Sequence, residues 1–452
     1  MRLKTVRRGV LPAALAMTLA AATIAMLAGC SQQGDTPQLI GGPYDGVTTV
    51  AYPAPPAPPA PDDYEAQDKL FGENMLDPQF LDAMSAFSYR SAATVLAEDA
   101  QANANFSPAS LYYALAMTQM GAAGATRDEI ADVLGASAAG LDADDVAQQC
   151  GNLLRLLAAD QYSNVKLANS AWMRPDATFK PSFVDVMESQ FYAALFLADF
   201  GTPETDAAMG QWIADNTQGT LTPQFKSQPE QLLSLINTVY FKSEWASAFD
   251  ASATESGTFA SETGDVDASF MVQRLEKPRE YRATDSYTRA SLGFMDGSEM
   301  TFVLPAEGAS VQDLLADADA LEEALAGEAT GEAYVTFRVP KFSFDSSYGL
   351  IPALEQMGMT AAFGDQADFS NLTDIPAYVS GVQQESHIGV DENGVEASAY
   401  TKVDITEMSM LPDPSVIGEL ELNLDRPFLY EIRSRQGVPL FVGVCGDPSA
   451  AA

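Results

Sequence analysis

One short segment near the C-terminal end of the chain alternates strictly between two kinds of side chain. From Val395 to Asp404, small or apolar residues occupy every second position, and polar or charged residues occupy the positions between them. A period of two is typical of a β-strand with one buried face. The flanking sequence has loop composition instead, with Asn393-Gly394 before the segment and Leu411-Pro412-Asp413-Pro414 after it. We therefore expect this segment to occupy two states, one of which is a strand.

Elsewhere the hydrophobic pattern predicts a mixture of helices and strands between residues 73 and 449. Capping side chains before a proline, or in a capping box, indicate helix starts at Asp77-Pro78, Ser107-Pro108 and Thr126–Glu129. Short segments rich in apolar residues indicate buried strands at Leu167–Met173 and Leu232–Tyr240. Because strands and helices do not alternate regularly, the predicted fold class is α+β.

The first 72 residues have the pattern of a targeting segment followed by a tether. Met1–Gly29 has a basic start and an apolar core, as in a signal peptide, and it leads into Leu-Ala-Gly-Cys, which is similar to a bacterial lipobox with Cys30 lipidated. A transmembrane anchor and a secretory signal without lipidation are the alternatives. Within residues 30–72, the proline-rich run Tyr52–Pro61 predicts an extended polyproline spacer. We expect a protein of the cell envelope, lipid-anchored and facing outside, or an extracellular one.

The charge of the chain excludes several classes of partner. With 62 acidic and 24 basic residues, the formal net charge is −38, which argues against binding to nucleic acid and against adhesion to anionic lipid. An acidic surface favours encounter with cationic proteins, and the alternative is an acidic surface that only interacts with solvent. We expect a monomer.

The sequence contains no convincing hydrolytic or metal site, so we expect no enzyme activity, no cofactor and no metal. The single histidine, His387, stands in a predicted strand and suits a structural role better than that of a catalytic base. A cluster at Asp142, Asp144 and Asp145 lacks the glycine and the terminal glutamate of an EF-hand loop, and indicates a solvated helix start. For Cys150 and Cys445, a disulfide and two buried free thiols are both open.

The alternating segment opens on a motif that gives the chain a family resemblance. Residues Glu392–Ala397 resemble the hinge of the serpins, inhibitors of serine proteases whose reactive-centre loop begins Glu-x-Gly-x-Glu-Ala. Further similarities to serpin motifs are found at Asn105–Ser110, Asn237–Trp245, Pro340-Lys341-Phe342 and Phe363–Ser370. The resemblance covers residues 73–449. It implies a serpin fold with three β-sheets, about eight or nine helices and an exposed reactive-centre loop.

The resemblance also implies a mechanism and a reactive bond. The family spacing from Glu392 puts the bond at Met408-Ser409, the pair that alpha-one antitrypsin also has. A serine protease would attack Met408 and form a covalent acyl complex, after which the loop would insert into a central sheet that is one strand short. The hinge residues implied are Glu392, Gly394, Val395, Glu396, Ala397 and Ala399.

Insertion in the family also depends on a pair and a cluster of polar residues. Lys341 is expected to pair with Glu392 at the top of the sheet, where insertion starts. Gln384 stands where the family often has a histidine, and we expect it to take part in the cluster. The sheet-opening residues implied are Ser107, Ser110, Asn169, Asn237, Gln384 and Lys341.

Three functions are compatible with the sequence. The first is a cell-surface serine-type endopeptidase inhibitor that acts by suicide-substrate loop insertion; Met408 suits elastase-, chymotrypsin- or subtilisin-like proteases, and Glu407-Met408 and Met410-Leu411 are alternative bonds. The second is a non-inhibitory serpin that acts as a cell-surface binding or structural protein. The third, an envelope solute-binding lipoprotein or hydrolase, rests only on the signal segment.

Overall fold

The computed structural model of the protein describes residues 40–41, 44–60, 62–97, 102–160, 165–395 and 417–449. All of these residues belong to one unit, which spans residues 39–452. None of the helices found there has both the length and the apolar composition that crossing a membrane requires.

Nineteen β-strands lie within the described residues. They are β1 (Ile40–Gly41), β2 (Thr48–Ala51), β3 (Ala104–Phe106), β4 (Lys166–Met173), β5 (Ala194–Leu197), β6 (Leu233–Tyr240), β7 (Ser243–Glu244), β8 (Glu255–Ser261), β9 (Gly264–Arg274), β10 (Arg279–Ala283), β11 (Tyr287–Gly293), β12 (Glu299–Pro305), β13 (Gly331–Pro340), β14 (Phe342–Gly349), β15 (Gln383–Val390), β16 (Gly394–Val395), β17 (Gly418–Asn423), β18 (Phe428–Arg433) and β19 (Pro439–Cys445). The predicted strands at Leu167–Met173 and Leu232–Tyr240 are confirmed as β4 and β6.

Eleven α-helices lie within the same described ranges. They are α1 (Tyr64–Glu73), α2 (Pro78–Leu96), α3 (Pro108–Gly121), α4 (Gly124–Val133), α5 (Ala136–Ala139), α6 (Ala143–Ala159), α7 (Pro181–Ser189), α8 (Pro203–Asn216), α9 (Val311–Leu314), α10 (Ala318–Ala326) and α11 (Ile351–Gln356). The helix starts predicted before Pro78 and Pro108 are confirmed, with Asp77 and Ser107 as caps. The eleven include α5 and α9, of four residues each, and α1, most of which lies in the predicted tether.

The predicted capping box at Thr126 and Glu129 is wrong. Helix α4 begins earlier, at Gly124, and Thr126 is buried inside it, where its hydroxyl accepts a hydrogen bond from Asp368 N at 2.9 Å. The Glu129 carboxylate accepts one from Thr360 N at 2.7 Å. Both side chains therefore serve contacts with a distant segment, which the local spacing could not reveal.

Most of the hydrophobic core lies against a ten-stranded sheet. Nine of its strands follow the order β3-β19-β18-β12-β11-β10-β13-β9-β8, and β17 pairs in parallel with β13. Helices α2, α3 and α10 contact this sheet. Its aromatic side chains Phe302, Phe337 and Tyr430 are fully buried, and burial of this kind contributes about 25 cal/mol per Å² of apolar surface.

Two smaller sheets complete the α+β fold, so the predicted class and the three sheets are confirmed. One has the order β1-β2-β5-β4-β6 and the other the order β14-β15-β16-β7. Strand β7 follows β6 almost directly in the chain and pairs with β16, which in turn pairs with β15. The two sheets therefore meet where β6 and β15 face each other. A second core, smaller than the main one, lies between α8 and the five-stranded sheet and includes Trp172, Phe196 and Trp212.

Part of the predicted tether, residues 30–72, is incorporated into the fold. Strands β1 and β2 form an antiparallel hairpin, and β2 pairs with β5. Helix α1 also lies in this range, whereas residues 52–60 have no regular helix or strand. The prediction of a spacer throughout is wrong because the edge of β5 offers unpaired backbone groups to β2, and such a partner is not visible in local composition.

Candidate functional site

The chain turns back on itself directly after β15. The Asp391 carboxylate accepts hydrogen bonds from the backbone N–H groups of Asn393 and Gly394, at 2.8 and 3.3 Å, which is typical of an Asx turn. The turn makes β16 antiparallel to both β15 and β7. The hinge residues Gly394 and Val395 therefore already form a short strand between two others.

Close packing explains the glycine at the first position of β16. A Cβ atom at Gly394 would collide with the carbonyl oxygen of Ser243 and with the Cα atom of Glu244 on β7. Only a residue without a side chain lets the two strands come close enough to pair. Val395, the next residue, is 3% exposed, so the buried face of the hinge begins here.

The structure brings together Lys341 and Glu392, for which the resemblance implied a pair. Glu392 Oε2 accepts a hydrogen bond from Lys341 Nζ at 2.7 Å, and Oε1 accepts one from Thr254 Oγ1 at 2.8 Å. Partial burial alone would raise the pKa of Glu392, but these two donors and its own backbone N–H lower that pKa below the usual value. The pair stands at the top of the sheet, beside the Asx turn.

Two residues that hold the hinge were not among the predicted site residues. Trp245 Nε1 donates to the Asp391 carbonyl at 2.9 Å, and the Trp245 backbone N–H donates to the Asn393 carbonyl at 3.0 Å. The sequence carried a signal for Trp245, because it ends the motif Asn237–Trp245. It carried none for Thr254, whose contact with Glu392 depends on tertiary structure alone.

Below β16, the edges of β6 and β15 face each other without a strand between them among the described residues. Among the described residues, ladder pairs join β6 to β4, and β15 to β14 and β16. We call this space the slot. A cavity at its upper end is lined by Val239 and Tyr240 of β6, His387 and Ile388 of β15, Val395, and residues 217–221 after α8. A sheet edge that lacks a neighbouring strand can pair with an additional one.

The predicted polar cluster is present in two halves, and the first half lies on the β15 side of the slot. Gln384 Oε1 accepts a hydrogen bond from Ser107 N at 2.8 Å, and Gln384 Nε2 donates to the Ser107 carbonyl at 2.9 Å. The Ser107 hydroxyl accepts from Ser110 N at 3.2 Å and donates to the Leu440 carbonyl at 2.8 Å. The Gln384 amide is thus fully engaged with the start of α3.

The second half lies on the β6 side of the slot. Asn237 Nδ2 donates to Asn169 Oδ1 at 2.7 Å, and Asn169 Nδ2 donates to the Phe191 carbonyl at 2.7 Å. Asn237 Oδ1 is buried and has no hydrogen-bond partner in the part of the chain that the structure describes. In this state the Gln384 amide is directed to Ser107 and does not reach across to Asn237, so the structure places the predicted residues in two separate groups.

The other residues considered in the sequence analysis take part in contacts within the fold. His387 Nδ1 lies 2.6 Å from Asp345 Oδ1 on the adjacent strand β14. Asp142 and Asp145 form a reciprocal capping box at the start of α6, and no group of three or more potential metal ligands occurs among the residues searched, which are the described ones. Cys150 and Cys445 are both free and buried, which decides between the two alternatives; burial raises the pKa of each thiol.

Several predicted residues lie outside the described residues. They are Cys30, Glu396, Ala397, Ala399, Met408 and Ser409, together with the alternative bonds at Glu407 and Met410. The structure therefore describes the start of the predicted loop and the place where it would insert.

The motifs and the fold agree with a comparison to known families. A family model described as Serpin (serine protease inhibitor) matches residues 82–448, which is most of the chain. The chain belongs to the serpin family.

Relatives of this serpin come from plants and animals. It is 28% identical to Serpin-ZX of Arabidopsis thaliana over 369 residues, which cover 76% of this chain and 92% of the relative. It is 30% identical to Serpin-ZXA of Oryza sativa subsp. japonica over 374 residues, covering 77% and 91%. It is 27% identical to Alpha-1-antiproteinase S of Cavia porcellus over 363 residues, covering 77% and 85%.

Solved structures of serpins have the same architecture. Tengpin, a thermophilic serpin, in its native state matches with a TM-score of 0.70 and 26% identity over 82% of this chain and 95% of tengpin. The native stressed conformation of Arabidopsis AtSerpin1 matches with a TM-score of 0.68 and 26% identity over 82% and 99%.

The family match corrects the expectation that was phrased only as the absence of enzyme activity. That expectation rested on missing hydrolytic residues and said nothing about what the protein does. The matched family is instead defined by its action on enzymes, as inhibitors of serine proteases. The protein is therefore described as a member of the serine protease inhibitor family.

Proposed function

We propose that this serpin is a suicide-substrate inhibitor that inserts its loop after cleavage at Met408-Ser409. The observation that carries the proposal is the position of β16, which lies between β15 and β7 directly above the slot. The protease serine hydroxyl would add to the Met408 carbonyl carbon, the bond to the Ser409 nitrogen would break, and the protease would remain on Met408 as an acyl ester. Insertion of the freed segment would then carry the protease away before water could hydrolyse the ester.

Completion of the sheet supplies the free energy for insertion. Leu235 and Val239, on the core side of β6, are only partly buried. An inserted strand would cover them and would form ladder hydrogen bonds with both β6 and β15. Each such hydrogen bond contributes about 0.5–1.5 kcal/mol net, and apolar burial adds about 25 cal/mol per Å², so the inserted state would be much more stable than the present one.

The pairing of β16 fixes a register for the inserted strand. Val395 pairs with Val390 on β15 and with Ser243 on β7. Continued in the same antiparallel register, Thr401 would lie opposite Gln384 on one side and Asn237 on the other. Because the side-chain period of a strand is two, Thr401 would share the inward face of Val395. Its hydroxyl would then lie between the two halves of the polar cluster and could donate to Asn237 Oδ1.

The side chain at the reactive bond supports a class of target. Met408 is unbranched and apolar, and it suits the pockets of elastase-, chymotrypsin- or subtilisin-like proteases. The net charge of −38 would favour encounter with a cationic protease. No observation favours the alternative of a non-inhibitory serpin, whose loop would never insert.

We further propose that the inhibitor acts as a monomer at the outer surface of the cell envelope, anchored by lipid on Cys30. The lipobox-like end of the signal segment supports the anchor, and residues 31–38 would be the part of the tether that remains outside the folded unit. Extraction of membranes with detergent, compared between the wild type and Cys30→Ala, would test the anchor. Equal partition of both proteins into the aqueous phase would contradict it.

The test of the inhibitory function is a covalent complex. The protein is incubated with a panel of elastase-, chymotrypsin-, subtilisin- and trypsin-like proteases, and the products are separated after boiling in detergent. We expect a complex that survives with one or more of the first three, and a released C-terminal fragment that mass spectrometry shows to begin at Ser409.

The same experiment separates the alternatives. Cleavage without any complex would contradict the inhibitory function, while a fragment that begins at Met408 or Leu411 would move the reactive bond and leave the mechanism intact. The thermal midpoint before and after cleavage is the second measurement, since a loop that inserts should make the cleaved protein far more resistant to heat.

A further inference from the structure

The N-terminal hairpin, residues 40–52, lies outside the residues that match the family model, which begin at residue 82. It is nevertheless integrated into the fold, because β2 pairs with β5 and extends the five-stranded sheet beyond that strand. Tyr44, in the connection between β1 and β2, is 7% exposed and belongs to the second core between α8 and the sheet. The hairpin is therefore a structural addition to the matched domain.

Tyr44 connects the sheet to helix α8. Its ring lies edge-to-face with Phe196 of β5 at a centroid distance of 5.7 Å, and 6.4 Å from the ring of Trp172 on β4. Aromatic pairs of this geometry contribute about 0.5–1.5 kcal/mol beyond their burial. The Tyr44 hydroxyl donates to Asp215 Oδ2, near the C-terminal end of α8, at 3.1 Å.

The same connection also packs against the first turn of α8. Gly46 has a φ of +78°, in the left-handed region, and a Cβ atom there would collide with the Cβ atom of Glu204. Glu204 and Asp215 lie near opposite ends of the helix. The hairpin thus holds α8 at both ends while it is itself paired to the sheet edge.

Helix α8 leads into the residues that line the slot. Thr217, Thr220 and Leu221 line the same cavity as β6, β15 and Val395. Adjacent strands lie about 4.8 Å apart, so β6 and β15 must be about twice that distance apart once a strand has entered between them. A strand that enters from β16 has to pass residues 217–221, and these residues and α8 must shift to let it pass.

We infer that the hairpin of residues 40–52 is a kinetic restraint on sheet opening. By connecting α8 to the edge strand β5, it slows the shift of α8 and so slows insertion of an uncut loop, which would otherwise inactivate the inhibitor. This inference rests on the insertion mechanism proposed above. It assigns a function to residues that the sequence pattern indicated only as a spacer.

The test compares three variants of the full chain with the wild type. Tyr44→Phe keeps the ring and removes the hydrogen bond to Asp215, and Tyr44→Ala removes both. Tyr64→Ala is the matched control, because Tyr64 is a 72% exposed tyrosine of the same N-terminal region. Each protein is held below its unfolding midpoint without protease, and samples taken over time are assayed for the capacity to form the covalent complex.

We expect Tyr44→Phe to lose this capacity about fivefold faster than the wild type, which corresponds to the loss of one hydrogen bond of about 1 kcal/mol. Tyr44→Ala should lose it faster still, by a factor of about ten or more, and Tyr64→Ala at the wild-type rate. In each case the lost activity should be matched by an uncut, heat-resistant species.

Two outcomes would contradict the inference in distinguishable ways. A wild-type protein that forms complexes, combined with Tyr44 variants that inactivate at the wild-type rate, would overturn the restraint alone. A wild-type protein that forms no complex and gains no heat resistance on cleavage would overturn both the restraint and the proposed function. If Tyr44→Ala does not fold, Tyr44→Phe, which preserves the packing, gives the decisive rate.

Discussion

Glu431 in the ten-stranded sheet and Asn237 at the slot both bury polar atoms, but they differ in whether those atoms have hydrogen-bond partners. In the sheet, Glu431 is 1% exposed, but its carboxylate accepts hydrogen bonds from the Tyr89 hydroxyl at 3.2 Å and from Arg433 Nε at 3.1 Å. At the slot, Asn237 Oδ1 is buried without a partner among the described residues, and the edge of β6 has no ladder partner there. The Glu431 carboxylate thus has its hydrogen-bond donors in this state, and the Asn237 amide oxygen does not.

The difference indicates where in this serpin a second conformation would be more stable than the first. A buried polar group without a partner costs about 1–3 kcal/mol, and an open edge forfeits a row of ladder hydrogen bonds. Such costs are tolerable where a second state removes them. The slot has the geometry of such a place, whereas the Glu431 carboxylate already has its partners.

The largest expected effect is from blocking the slot. Ala399 shares the inward parity of Val395, so Ala399→Arg would have to bury an unpaired guanidinium during insertion, at a cost of several kcal/mol. We expect cleavage by the target protease without a boiling-resistant complex, and no gain in thermal midpoint after cleavage. Tyr400→Arg, at the opposite parity, is the control and should still form the complex. Equal complex formation by both variants would contradict the insertion geometry.

The next largest effect is expected in the ten-stranded sheet. Glu431→Ala leaves Arg433, whose side chain is 20% exposed, without its carboxylate partner, and should lower the free energy of unfolding by up to about 3–5 kcal/mol, measured by urea denaturation. Glu323→Ala, which removes the exposed partner of Arg282, should cost at most about 1 kcal/mol. The gain in heat resistance on cleavage should be the same in both variants as in the wild type. A reduced gain in Glu431→Ala would show that the two regions are not independent.

A smaller effect is expected at the junction of the polar cluster. Thr401→Val keeps the shape of the side chain but removes the hydroxyl that would donate to Asn237 Oδ1 in the inserted state. The cleaved form should therefore lose about 1 kcal/mol of stability relative to the wild type, while the uncut form should be unchanged. Thr401→Ser retains the hydroxyl and should behave like the wild type. Wild-type stability of cleaved Thr401→Val would contradict the proposed register.

The smallest effect concerns pH at the top of the slot. The pKa of Glu392 lies below its usual value of 4.5 in the folded protein, because the donors beside it outweigh its burial. A lowered pKa gives a stabilising contribution that is complete above the unfolded-state pKa and is lost as the pH falls through the folded-state pKa. As the pH falls from the unfolded-state pKa through the folded-state pKa of Glu392, loss of its pair with Lys341 should lower the unfolding free energy of the uncut protein by less than about 1 kcal/mol. Glu392→Gln should lack that part of the pH dependence, and an identical pH profile would contradict it.

Local sequence predicted the hinge better than the cluster around it. The motif Glu392–Ala397 places its charge, glycine and small residues within a few positions, and the Asx turn, the pairing of β16 and the contact with Lys341 are in accord with it. The cluster combines residues from β4, β6, β15 and α3. Whether Gln384 reaches Asn237 or Ser107 depends on a side-chain direction that no spacing specifies, and the structure directs it to Ser107.

The tertiary contacts of the N-terminal region were even less predictable from local sequence. Its proline-rich run predicted an extended polyproline spacer, and residues 52–60 contain no helix or strand. It gave no indication that Tyr44 would enter a core formed by β4, β5 and α8, because that core exists only after residues far along the chain have folded. Likewise, the side chains of Thr126 and Glu129 have the spacing of a cap, but they bind a segment more than 200 residues away.

The sequence by itself determined the elements whose signals are local: the helix starts at Pro78 and Pro108, the buried strands β4 and β6, the hinge motif and the family. Local signals suffice for these because caps, side-chain periods and tight turns depend on neighbouring residues. The tertiary structure alone decided the open edge of β6, the division of the polar cluster and the attachment of the hairpin to α8. Those features are partnerships between distant backbone and side-chain groups, and only the folded arrangement fixes which of them are satisfied.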